Sequence, residues 1–330
     1  MKKLMAILLA AALMLGACGC TKDEGLQKIR LAEVTHSVFY APLYAAINLG
    51  FFEEEGLQLE LTNVGGADKG MTALLSGQTD IGFMGPEAAV YTVNEGAQDA
   101  PVVFTQLTQC DGAFLVSRTE EPDFKWENLV GKTVIGGRKG GMPEMTLEYV
   151  LRQKGIDPHD DLYIDTSVQF ALMGGAFIGG EGDYVTLFEP TATEVESQGH
   201  GYIVASVGAQ SGSVPYTCFI ALESYLNKNE QTIKAFVRTI CRAQKWVQES
   251  TDAQVAQAIA ESFPDTDLKV LEQVVARYRS INAWALSPEM SKESFERLLD
   301  IMQQAGELDK RPAFEDVIDN TIAQEVMRNQ

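Results

Sequence analysis

The stretch "IRLAEVTHSVFYAPLYAAINLGFFEEEGLQLELTNV", residues 29–64, decides the fold. Ile29 to Val34 alternate with period two, as a half-buried strand does. The loop "THSVFYA" (35–41) runs to Pro42, after which Leu43, Ala46 and Ile47 share one helical face as far as Gly50. Proline in the first turn and glycine past the last are the punctuation of a helix. Residues 57–64 are extended again. "MTALLSGQ" (71–78) predicts a second helix and "DIGFMG" (80–85) a third strand, so two βα units occupy the first 85 residues. That alternation demands an α/β fold with mainly parallel strands.

The same grammar continues. Strands are expected at "PVVFTQL" (101–107), "AFLVSR" (113–118), "KTVIGG" (132–137), "LYIDTS" (162–167), "DYVTLFEP" (183–190), "GYIVASV" (201–207) and "YTCFIAL" (216–222). A helix runs from Pro143 to Lys154 and is closed by Gly155. Beyond Glu230 the chain reads as helical, with Ile233, Phe236, Val237 and Ile240 on one face and further helices over 268–278 and 292–304.

The N-terminus, "MKKLMAILLAAALMLGACGC", has Lys2 and Lys3 before a short apolar run, which is an export signal. Leu15-Gly16-Ala17-Cys18 resembles a bacterial lipobox, which makes Cys18 the lipid-bearing first residue of the mature chain and 18–27 a linker; an ordinary signal with an incidental cysteine is the alternative. Loss of Lys2 and Lys3 takes the formal net charge from −20 to −22. Such an acidic balance repels nucleic acid and anionic headgroups. Cys110, Cys218 and Cys241 are odd in number and widely spaced, which fits buried free thiols; a single Cys110–Cys218 bridge is the alternative.

Within this pattern, "FYAPLYAAINLGFFEEEGLQLEL" (39–61) and "ALLSGQTDIGFMG" (73–85), with "GGRKGGMPEMTLEYVL" (136–151) and "GDYVTLFEPTATEVE" (182–196), resemble the NMT1/THI5-like group of ABC-transporter substrate-binding proteins. The resemblance implies a two-lobed periplasmic-binding-protein fold of type II, with the ligand in a cleft between lobes that close by hinge motion. Lobe one would comprise 28–108 plus 218–330 and lobe two 109–217. It also implies a monomeric lipoprotein at the extracytoplasmic face of the membrane, partnered by a small-molecule solute and ABC permease subunits, without cofactor or nucleic acid.

In open α/β sheets ligands sit beyond the carboxyl ends of the strands, so the loops there hold the candidate site. After strand one come His36, Ser37, Phe39 and Tyr40, able to sandwich a planar ligand and fix its edge, or, for the two rings, to pack under the first helix. After strands two and three come Gly66, Gly85 and Glu87; Glu87 accepts from amino groups in one reading and serves the helix dipole in the other. The 136–143 loop, with Gly140, Gly141 and Met142, matches neither a P-loop nor a Rossmann turn and reads as a ligand-facing loop. Arg138 and Lys139 read there as solvated charges. Gln169 supplies a further polar loop. Glu189 is the residue assigned most directly to a ligand hydrogen bond, and Tyr216 either stacks or serves a hinge.

Aromatic loops with two acids favour a nitrogen-containing, thiamine-pyrimidine-like heterocycle over the alternative of a small anion such as a sulfonate or nitrate. The resemblance also implies a pyrimidine-synthase-type enzyme as an alternative, since the family covers one; that enzyme carries a CCCFC cluster, which this sequence lacks. His36, His159 and His200 show no metal spacing. A lipoprotein sensor that signals to a partner is a further alternative.

Overall fold

The computed structural model describes residues 25–329; the export segment, with Cys18, lies outside them. The strands are β1 (Gln27–Glu33), β2 (Leu57–Asn63), β3 (Ile81–Met84), β4 (Pro101–Thr108), β5 (Phe114–Ser117), β6 (Thr133–Ile135), β7 (Tyr163–Asp165), β8 (Tyr184–Leu187), β9 (Tyr202–Ser206) and β10 (Thr217–Leu222). They form two five-stranded sheets, ordered β2-β1-β3-β10-β4 and β7-β6-β8-β5-β9. In each sheet the first three strands are parallel, and the fourth is antiparallel to both its neighbours. That reversed strand, β10 in one sheet and β5 in the other, is the one that has just crossed from the opposite sheet. The other strands of each sheet therefore share one direction, as the βα alternation requires.

Helices cover the sheets where the periodicity put them. The helix Glu230–Glu249 buries Ile233, Phe236, Val237 and Ile240. The Phe236 ring centroid lies 5.0 Å from that of Phe219, which stacks on Phe83 at 4.4 Å. Burying each such ring contributes about 1.5–3 kcal/mol. The helix expected over 71–78 is Ala67–Leu75, because Asp68 occupies a first turn whose free N–H groups favour an acid. The helix expected at Pro143 starts at Met142, with proline inside its first turn. Cys110, Cys218 and Cys241 are buried and free, so no Cys110–Cys218 bridge is present.

The two crossings lie side by side. Val214 N–H donates to Gln109 O at 2.9 Å, and Thr217 N–H donates to Thr108 Oγ1 at 2.9 Å. A third tie comes from the helix Leu268–Ser280. Its Tyr278 hydroxyl donates to Gly112 O at 3.1 Å and accepts from Glu189 N–H at 3.0 Å.

Candidate functional site

Between the sheets lies a cavity of about 290 Å³, formed by the loops at the carboxyl ends of β1, β2, β3, β6, β7 and β8 and by the start of β10. Of the residues singled out from the sequence, Tyr40, Gly66, Gly85, Glu87, Gly141, Met142, Gln169 and Tyr216 line it. Tyr40 and Tyr216 bring aromatic walls, joined by Phe170 and Phe188. The β7 loop is shaped by Asp165, whose Oδ1 accepts from Ser167 N–H at 2.9 Å and from its hydroxyl at 2.6 Å, presenting Thr166 and Gln169 to the cavity.

Glu87 is 2% exposed, and its Oε2 has no hydrogen-bond partner in the protein. Gly85 makes room for it: a Cβ there would stand 1.9 Å from Oε2. Burial pushes the carboxyl up to about 7, with Arg138 pulling the other way. Arg138 is half-exposed at the rim and faces Asp68 at 3.6 Å across the cleft, so it is a cleft residue as well as a solvated one. Behind Tyr216 sits Asp111, fully buried, whose Oδ1 accepts from Ala113 N–H at 2.6 Å while Oδ2 has no partner. The Tyr216 hydroxyl lies beside Asp111 without closing a bond of ordinary geometry, and burial pushes that carboxyl up to about 7.

Five of the expected site residues stand elsewhere. Glu189 is buried with its oxygens already engaged: Thr193 donates from N–H at 2.8 Å and from Oγ1 at 3.0 Å, and Arg277 closes an ion pair. Burial raises its pKa against that pull. These bonds give Glu189 a structural role, and it lines the second cavity with His36 instead of the first. Ser37 donates to Glu189 O at 2.6 Å and accepts from Phe39 N–H at 3.2 Å. Phe39 is fully buried among Phe188, Tyr216 and Tyr278, with centroids 5.2, 5.7 and 5.2 Å away, so it packs against rings that lie outside the first helix and does not line the cavity. Gly140 turns its carbonyl to the Tyr91 hydroxyl at 3.0 Å and its N–H to Glu144 Oε2 at 3.1 Å. His36 lies between Glu33 at 3.0 Å and Ser262 O at 2.7 Å, on the wall of a second cavity behind Phe170 and Phe188.

The cavity-lining residues that the sequence did not single out as site residues include Phe170, Phe188, Asp68 and Lys69. Phe188 adjoins Glu189, and only the facing of the last strand residues separates them. Among the described residues no group of three or more His, Cys, Asp or Glu side chains converges to hold a metal ion.

Residues 25–262 match the NMT1-like family. The chain belongs to that family. This NMT1-like chain is 45% identical over 314 residues to YtlA of Bacillus subtilis (strain 168), whose name describes it as a binding protein, with 95% of this chain and 94% of that one covered. Many solved structures share its fold, among them the following two. The ligand-binding component of an ABC-type import system from Staphylococcus aureus, with zinc bound, superposes with a TM-score of 0.74 at 16% identity, covering 91% of this chain and 99% of that one. The alkanesulfonate-binding protein SsuA from Xanthomonas axonopodis pv. citri, bound to MOPS, gives a TM-score of 0.72 at 16% identity, covering 88% and 98%. The fold is thus the two-lobed, type II periplasmic-binding-protein fold.

Proposed function

We propose that this NMT1-like chain is the solute receptor of an ABC importer, exported and held through Cys18 at the extracytoplasmic face of the membrane. Its solute is a small nitrogen-containing heterocycle of the thiamine-pyrimidine kind. Residues 28–108 with 218–330 move as one lobe and 109–217 as the other, closing over the solute.

One observation carries the reading: of the Asp, Glu, Lys and Arg side chains that line this aromatic-walled cavity, only a carboxyl, that of Glu87, is buried. Glu87 is 2% exposed, whereas the side chains of Arg138 and Asp68 are 45% and 53% exposed and oppose each other at the rim. An anion would meet Glu87 at the floor, while the two lining cations, Arg138 and Lys69, are both exposed and Arg138 is already shared with Asp68. A planar base instead meets ring faces and an acceptor for its N–H groups. The volume, about 290 Å³, suits a single ring with short substituents.

The test is thermal denaturation with 4-amino-2-methylpyrimidine, taurine or sodium nitrate. A solute that binds only the folded state raises the midpoint by mass action. The aminopyrimidine should raise it and the two anions should not. Stabilisation by taurine or nitrate alone would reverse the assignment.

A further inference from the structure

Glu87 heads the helix Glu87–Asn94 and lines the cavity, buried, with Oε2 unpartnered. An unmade hydrogen bond at a buried group is costly. The groups facing this carboxyl are Arg138 from the opposite lobe, the hydroxyls of Tyr40, Tyr91 and Tyr216, and the Cys218 thiol. Arg138 divides its charge with Asp68 and is half in water, so it offsets the burial of Glu87 only in part. A vacant acceptor at a cavity wall, beside a carboxyl that neither ionises freely nor stays fully protonated near neutrality, calls for a partner that shares a proton.

We propose that Glu87 Oε2 and a ring nitrogen of the captured solute hold one proton between them, so that the cleft selects weak nitrogen bases. This rests on the reading of the cleft as a heterocycle receptor. The complex contains a single proton in the gap, written Oε2–H···N or Oε2···H–N, and no covalent bond beyond that transfer changes. Above neutrality both partners lose the proton and two lone pairs face each other. Below it both carry one, and two protons compete for one gap. Affinity therefore peaks where carboxyl and base together hold one proton. A sulfonate or nitrate has no proton to share and is repelled by the ionised carboxyl.

The experiment is calorimetric titration of 4-amino-2-methylpyrimidine into the wild-type chain and Glu87→Gln from about pH 5 to about pH 9. Wild-type affinity should peak near neutrality and fall about tenfold per pH unit on the alkaline limb. In Glu87→Gln the amide N–H donates to the ring nitrogen at every pH, so that limb should be flat. A wild-type chain repeated at about pH 8.5 in two buffers of different ionisation enthalpy should show uptake of about one proton per base bound; this arm needs no variant. An alkaline fall as steep in the variant, or no proton uptake, would overturn the shared proton while leaving the heterocycle receptor standing. Binding of taurine or nitrate with no binding of the aminopyrimidine would remove both.

Discussion

Glu87 and Glu189 are both buried acids two or three residues past the end of a strand, and their neighbours give them opposite tasks. Glu189 is engaged by Thr193 and Arg277, whereas Glu87 Oε2 has no partner in the protein. Glu189→Gln should therefore lower stability to urea by about 1.5–3 kcal/mol, the value of a hydrogen bond to a charged group, and leave aminopyrimidine affinity nearly unchanged. A loss of affinity at constant stability would restore the ligand role that the sequence suggested. Gly85→Ala acts on the other acid: its Cβ would lie 1.9 Å from Glu87 Oε2, so the carboxyl must swing away. Aminopyrimidine affinity should drop at least about tenfold, the loss of one charge-assisted hydrogen bond, and calorimetry reads it directly. The sequence marks both acids as polar residues after strands. It does not show which carboxyl is engaged, because Arg277 comes from a helix 88 positions further along the chain.

At the scale of elements, the loops were legible because each follows a period-two strand and carries glycine, hydroxyl or aromatic residues before a helix. Two features were not. The helix Leu268–Ser280 reads as one more amphipathic helix, and only its packing reveals that Arg277 and Tyr278 tie it to the β8 loop. Likewise Arg138, in the β6 loop, and Asp68, in the first turn of the helix Ala67–Leu75, stand about 70 residues apart in sequence and meet at 3.6 Å only once the lobes face each other. That pair is half in water, so it contributes only about 0–1 kcal/mol to stability. Its effect is on selectivity. Asp68→Ala releases the Arg138 charge into the cleft, so taurine, silent against the wild type, should now raise the melting midpoint while the ligand-free midpoint stays within error. An unchanged response to taurine would show that Arg138 does not reach the bound solute.

For the whole molecule, the alternation of strands and helices specified α/β layers, and the resemblance to binding proteins supplied the two lobes. The strand orders β2-β1-β3-β10-β4 and β7-β6-β8-β5-β9 depend on long-range pairing that no local period encodes. The buried acids give the ligand-free protein a pH dependence of definite sign. Glu87 and Asp111 titrate at about 7 in the fold. Carboxyls in unfolded chains titrate near 4. The folded values are raised, so the native state holds protons that the unfolded chain releases, and stability falls as pH rises through that window. His36, raised by Glu33, adds a loss of the same sign above its ordinary value. The midpoint should therefore be higher at pH 6 than at pH 8, and Asp111→Asn should shrink the difference; a rise towards pH 8 would contradict the protonated floor. The central claim is the identity of what the cleft holds, and native mass spectrometry of the chain purified from its own host without denaturation tests it most directly. One retained solute per chain is expected, a small nitrogen base that is lost from Glu87→Gln at alkaline pH less readily than from the wild type. A retained sulfonate or other anion would contradict it.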